Sequence, residues 1–167
     1  MPVVLMTDDR KADWAAAAQA LPHGSLVVVR ARDAARRARL AEQLSFARLL
    51  IADDPGLAAD VGVGLHLPER RMREAAHWRV RHPDWIITAS AHSLGALMHA
   101  GGLDGVFLSP IFATASHREA KPLTPVRAAL IAAQSPVPVY ALGGVTARNA
   151  ALLGPAFSGI AAISSLL

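Results

Sequence analysis

The chain has no cysteine. This excludes a disulfide framework and any thiolate metal centre. Aromatic residues make up only 5% of its 167 residues, and none alternates with the charged clusters as a base-stacking platform would require. No apolar run approaches the roughly 20 residues that span a bilayer. The opening MPVVLMTDDRK has no basic n-region, and acidic residues follow after only a few apolar ones. It reads as a first strand and not as a secretory signal, so a soluble cytoplasmic protein with no membrane partner is expected. Acidic residues are the minority, 13 against 17 Lys and Arg, for a formal net charge of +4. Arginine clusters at positions 36, 37 and 39 and again at 70, 71, 73, 79 and 81. They read as solvated helix faces, with nucleic acid the minor reading.

What is present is apolar and rich in alanine, 53% hydrophobic overall. That suits many tightly packed helices in a single domain, residues 1–167. The apolar runs Val3–Thr7, Leu26–Val29, Leu49–Ala52, Gly64–Leu67, Asp84–Ala89, Gly105–Phe112, Pro138–Leu142 and Gly159–Ser164 read as strands buried on both faces. Helix patterns lie between them: Ala12–Ala20 after Asp8 and Asp9 as caps, Ala34–Ser45 after Asp33, and a stunted Leu57–Asp60. The others are Glu69–Arg81, Leu94–Ala100 after Ser93, Pro125–Gln134 after Thr124, and Ala147–Leu153 after Thr146.

Eight strands alternating with seven helices make an α/β chain with a parallel sheet, either open and doubly wound or closed. Eight is the number that closes a (β/α)8 TIM barrel. Polar residues follow nearly every strand at its C-terminal end, from Thr7–Asp8 and Arg30–Arg32 to Gly143–Gly144 and Ser164–Ser165. Active sites of this fold sit on that face. Such barrels usually need at least about 200 residues, so a compact barrel is expected, its third helix short and its last helix missing. The resulting gap would expose apolar surface beside the last strand, and a homo-oligomer, most simply a dimer, would cover it.

Gly105–Gly144 organises the chain. Thr114, Ser116, His117, Arg118 and Lys121 crowd one loop and Gly143–Gly144 forms the other. Hydroxyls, positive charge and backbone amides unobscured by side chains are what a phosphate needs. The motifs MTDDRK, VVVRARD, IADD, LHLPE, ITASAHS, SPIFATASHREAKPL and YALGGVTARN run in order along the chain. Together they resemble the thiamine-phosphate synthase family and its TenI-type thiazole tautomerase relatives.

The resemblance implies phosphorylated pyrimidine and thiazole ligands and a transferase reaction with magnesium as cofactor. Pyrimidine diphosphate ionises, diphosphate leaves, and the thiazole nitrogen attacks the methylene carbon. It further implies that Arg30 and Arg32 hold diphosphate, Asp53 binds magnesium, and Ser90 donates to the diphosphate. Thr114 and Ser116 would hold the thiazole, with Gly143, Gly144, Ser164 and Ser165 on its phosphate. Arg30, Ser90 and His117 are the candidates for catalytic contact.

The sequence departs from the family pattern at several of these places. Val28 replaces the pyrimidine-reading Gln and Ala52 the Asn before the metal-binding Asp. A second metal-binding Asp is not evident after His66. Glu69 is the available substitute, followed by Arg70 and Arg71. Ser109 stands where the tautomerases carry a proton-shuttling His, leaving His117 to do that work. A TenI-like tautomerase or a non-catalytic thiazole- or thiamine-phosphate-binding regulator is the alternative. His66, flanked by Leu65 and Leu67, reads as a core histidine. Asp54 before Pro55 reads as a turn residue.

Overall fold

The computed structural model describes residues 2–9, 13–113 and 121–163. Eight parallel strands close into a barrel in chain order. They are β1 Val3–Met6, β2 Leu26–Val29, β3 Leu49–Ala52, β4 Gly64–Leu67, β5 Ile87–Ala91, β6 Gly105–Leu108, β7 Val139–Ala141 and β8 Gly159–Ala162. Strand β8 returns to β1 with Ala161 opposite Val4, which leaves the sheet no open edge. The helices are α1 Ala15–Gln19, α2 Ala34–Gln43, α3 Pro55–Val61, α4 Ala75–Arg81, α5 Leu94–Leu97 and α6 Pro125–Ala132.

Because strand side chains alternate faces, each strand supplies two cores. Val4, Met6, Val28, Leu50, Ala52, Phe107 and Ala161 fill the barrel interior as one buried cluster. Leu5, Val27, Val29, Leu49, Ile51, Leu65 and Leu67 point outward, under the helices. Full burial of one such side chain stabilises the fold by about 1.5–3 kcal/mol. The same parity carries polar residues inward where the strands end. Arg30 is two residues beyond Val28, and Ser90 two beyond Thr88. Tapering is built in: a Cβ on Gly159 would lie 2.5 Å from the Tyr140 ring, so only glycine leaves room for that ring inside the barrel.

Several element boundaries differ from the sequence expectation. Helix α1 starts at Ala15, three residues late, so Asp8 and Asp9 do not cap it. The N-cap position is Trp14, which gives no side-chain cap; Asp13 before it accepts from the Ala15 amide at 2.8 Å, while Asp9 accepts from the Arg32 amide. Pro55 and Gly56 do not break the chain before α3. Pro55 opens the helix, capped by Asp54 on the Leu57 amide, and Gly62 closes it at φ 75°. The helix expected over Glu69–Arg81 begins as a 3₁₀ turn, Glu69–Glu74, before α4. Strand β5 starts at Ile87 and not at Asp84. Arg79 holds the Pro83 and Trp85 carbonyls, and the Trp85 amide turns back to His82, so that segment is a turn.

Strand β6 ends at Leu108, and Pro110 brings no N–H to extend the ladder. Helix α6 starts at Pro125 as expected, but Thr124 contributes no side-chain cap. Thr146 and Asn149 instead bond each other's amides, and a short 3₁₀ turn, Ala150–Leu152, stands where Ala147–Leu153 was expected. Asp33 and Ser93 cap α2 and α5 as the sequence predicts. The expected missing last helix falls on residues 164–167, outside the described residues.

Candidate active site

The C-terminal ends of β2 to β6 form a polar mouth above the interior cluster. At its base is His66, 4% exposed. Its Nδ1 lies 2.9 Å from Thr88 Oγ1 and its Nε2 3.0 Å from Ser90 Oγ. The imidazole stacks on Phe107, ring centroids 4.8 Å apart. Burial, reinforced by the positive charge of Arg30 and opposed only by Asp53, pushes its pKa down to about 3. His66 is therefore a neutral structural group, satisfied at both nitrogens, as its flanking leucines predict. It also orients the Ser90 hydroxyl at the mouth.

Arg30 is exposed at the end of β2. Its backbone is fixed from below by buried Thr7, whose hydroxyl accepts from the Arg30 amide at 2.8 Å and donates to the Arg30 carbonyl at 2.9 Å. Beyond it, Arg37 does not belong to a solvated helix face. Its guanidinium donates to the Ala31 carbonyl at 2.6 Å and to Asp54 at 2.8 and 3.2 Å. The Leu57 amide and this guanidinium outweigh burial and hold the Asp54 carboxyl below its ordinary value. The loop carrying Arg30 and Arg32 is thus tied to the start of α3, and Arg32 is exposed on it.

Asp53 ends β3 in the left-handed region, φ 55°, with its amide on the His66 carbonyl at 2.8 Å. Both carboxylate oxygens face guanidinium groups: Oδ1 lies 2.5 Å from Arg71 Nη1 and Oδ2 2.7 Å from Arg70 Nη2. The other edge of Arg71 is bidentate on Glu74, at 2.8 and 2.7 Å. Glu69, the expected substitute metal ligand, accepts instead from the His92 amide at 2.6 Å. Among the described residues no three His, Asp or Glu side chains gather as a metal would require. Arg70 and Arg71, which follow Glu69 in sequence, occupy the Asp53 carboxylate expected to bind magnesium.

On the far side of the mouth, Gly143 and Gly144 follow β7 with φ of 91° and 65°. A Cβ on Gly143 would come within 2.8 Å of Pro110 Cα, and one on Gly144 within 2.8 Å of Phe112 Cβ. Only glycines let the two loops touch backbone to backbone. The Gly143 carbonyl accepts from the Phe112 amide at 3.0 Å. In a planar trans peptide this turns the Gly144 N–H the opposite way. His92 Nδ1 lies 2.8 Å from the Ser109 carbonyl and 3.2 Å from Ser109 Oγ. The described imidazole beside the family's histidine position is thus His92. Thr114, Ser116 and His117, and equally Ser164 and Ser165, lie outside the described residues. A concavity of about 550 Å3 lined by residues such as Leu21, Ser25, Phe46 and Arg48 lies at the other end of the barrel, where this fold does not carry its chemistry.

The barrel and its mouth can be set beside known proteins. A sequence profile of the family described as thiamine monophosphate synthase matches residues 1–166. The chain belongs to this family. A protein of Aquifex aeolicus provisionally named thiamine-phosphate synthase 2 is 42% identical over 85 residues, covering 50% of this chain and 45% of its own. The thiamine-phosphate synthase of Chlorobium luteolum is 36% identical over 117 residues, 68% of this chain and 55% of its own. The chain thus spans about half the length of these curated relatives. Among solved structures, thiamine phosphate pyrophosphorylase from Pyrococcus furiosus superposes with a TM-score of 0.76 at 23% identity, covering 98% of this chain and 85% of that one. This likeness supports the (β/α)8 barrel. No helix among the described residues is long and apolar enough to cross a membrane.

Proposed function

We propose that this chain is a thiamine-phosphate synthase-type transferase of thiamine biosynthesis, acting as one barrel unit in the cytoplasm. It joins hydroxymethylpyrimidine diphosphate to thiazole phosphate and releases diphosphate. The observation that carries the reading is the mouth itself: Arg30, Ser90, Arg70 and Arg71 stand at the ends of one set of strands, and across from them the Gly143–Gly144 turn follows β7 with the Gly144 N–H directed away from Phe112. In that arrangement the pyrimidine C–O bond breaks with its electron pair passing to the diphosphate. Arg30 and the Ser90 hydroxyl stabilise the charge that accumulates there. The thiazole, held by its phosphate at Gly143 and Gly144, presents its nitrogen to the methylene carbon, and the new C–N bond forms. The site supplies alignment of two ligands and preorganised charge. Arg32, Thr114, Ser116, His117, Ser164 and Ser165 belong to the same reading as ligand contacts, and a homo-oligomer, most simply a dimer, as its assembly.

The family brings magnesium with it, with Asp53 as the candidate ligand. The donor set does not fit a resident divalent cation, because two guanidinium groups occupy that carboxylate. A tautomerase-type reading rests on one observation, the His92 imidazole held against Ser109. It predicts proton exchange on the thiazole, lost in His92→Ala. Product analysis decides between them. Purified protein is given both phosphorylated substrates, with Arg30→Ala in parallel. Thiamine phosphate formed by the wild type and lost in the variant supports the transferase; thiazole isomerisation without coupling supports the second reading.

A further inference from the structure

We propose that Arg70 and Arg71 stand in for a divalent cation, so that this mouth binds a diphosphate directly and without metal. The inference rests on the reading of the mouth as a diphosphate site and deepens it. Magnesium asks for oxygen ligands in a near-octahedral shell, usually one or two carboxylates with phosphate oxygens and water. Here each candidate carboxylate is engaged elsewhere. Asp53 is bracketed by the two arginines, 2.5 and 2.7 Å away. Asp54 is held by the Leu57 amide and Arg37, and Glu69 accepts from the His92 amide. An arriving cation would have to displace two positive groups and then sit beside them.

The arginines are equipped to do the cation's work. Arg71 is pinned on both edges, by Asp53 and by Glu74, and its side chain is 27% exposed. It is a positioned charge rather than a waving one. Among the described residues Arg70 makes one contact, to Asp53, and its side chain is 71% exposed. A guanidinium has five N–H donors, so most of those on Arg70 remain exposed to solvent beside Asp53. Guanidinium and phosphate match in a bidentate, charge-assisted geometry. The charge of Arg30 reaches the His66 imidazole and disfavours its protonation. With Arg32 on the Arg30 loop, four positive side chains stand against the Asp53, Glu69 and Glu74 carboxylates, which leaves the mouth one positive charge in excess without any ion.

The test is calorimetric titration of the intact protein with inorganic diphosphate, in EDTA and in magnesium at matched ionic strength. The expected result is equal affinity, within about twofold, in the two buffers. Arg70→Ala removes an exposed side chain and is expected to weaken binding about tenfold or more, the scale of a lost charged hydrogen bond. Asp53→Asn discriminates by sign. Removing a negative charge that competes for both guanidinium groups is expected to leave binding equal or tighter, whereas a metal ligand at that position would lose it. Binding that appears only with magnesium, or that Asp53→Asn abolishes, overturns the proposal and leaves the transferase reading standing. No binding in either buffer brings down the diphosphate reading of the mouth, and the proposal with it.

Discussion

His66 couples the stability of the barrel to pH, and the size of the effect follows from its surroundings. In the folded protein its pKa is near 3, because burial and then Arg30 disfavour the imidazolium. In the unfolded chain it returns to about 6.5. A depressed base keeps its full contribution above the unfolded value and loses stability as pH falls toward the folded one, since only the unfolded state takes up the proton. Between pH 7 and pH 5 the unfolded state gains about 2 kcal/mol from this one site, with negligible protonation of the native state. Asp54, held low by the Leu57 amide and Arg37 against its burial, and Glu74, held low by Arg71, lose their contributions at more acidic pH. The assay is urea unfolding at the two pH values, followed by tryptophan fluorescence, Trp14 being fully buried. His66→Gln keeps a donor and an acceptor for Thr88 and Ser90 and cannot ionise. Its stability at pH 7 is expected to fall, but the drop from pH 7 to pH 5 should shrink by about 2 kcal/mol relative to wild type. Equal drops in the two proteins would refute the burial argument.

Two further substitutions test the supports of the mouth. Gly144→Ala places a Cβ against Phe112 and Ala113 at φ 65°; a loss of about 1–3 kcal/mol and weaker thiazole-phosphate binding are expected by thermal melting and calorimetry. Thr7→Val keeps the shape of a fully buried side chain but leaves the Arg30 amide and carbonyl without their partner. It should cost about 1–3 kcal/mol and raise KM for the pyrimidine diphosphate; an unchanged KM would show that Arg30 needs no such anchoring.

Much of this architecture was legible in the sequence because it depends on local rules. Doubly buried strands announce themselves as continuous apolar runs, and Asp33 and Ser93 sit at their helix starts as short polar caps do. His66 was readable as a core residue from its leucine neighbours alone. The ion pairs were not. Asp54 lies 17 residues from Arg37, and Asp53 lies 17 and 18 from Arg70 and Arg71. Contacts at that separation exist only once the barrel has closed, and arginines on a helix look alike until then. The start of β5 was misread for the same kind of reason. Asp84 and Trp85 look strand-like, yet Arg79 takes the Trp85 carbonyl and His82 stacks on the Trp85 ring, 3.7 Å between centroids. The same limit applies to α3, where Pro55 and Gly56 signal a break locally but Asp54 caps a helix that keeps them both.

The most direct measurement is a crystal structure grown with thiamine phosphate and diphosphate in a metal-free buffer. The account predicts ligand density at the C-terminal mouth, with diphosphate oxygens on Arg30, Arg70 and Arg71 and the thiazole phosphate at Gly143–Gly144. Density in the concavity beside Phe46 and Arg48, or a diphosphate reaching Asp53 only through an added cation, would contradict it.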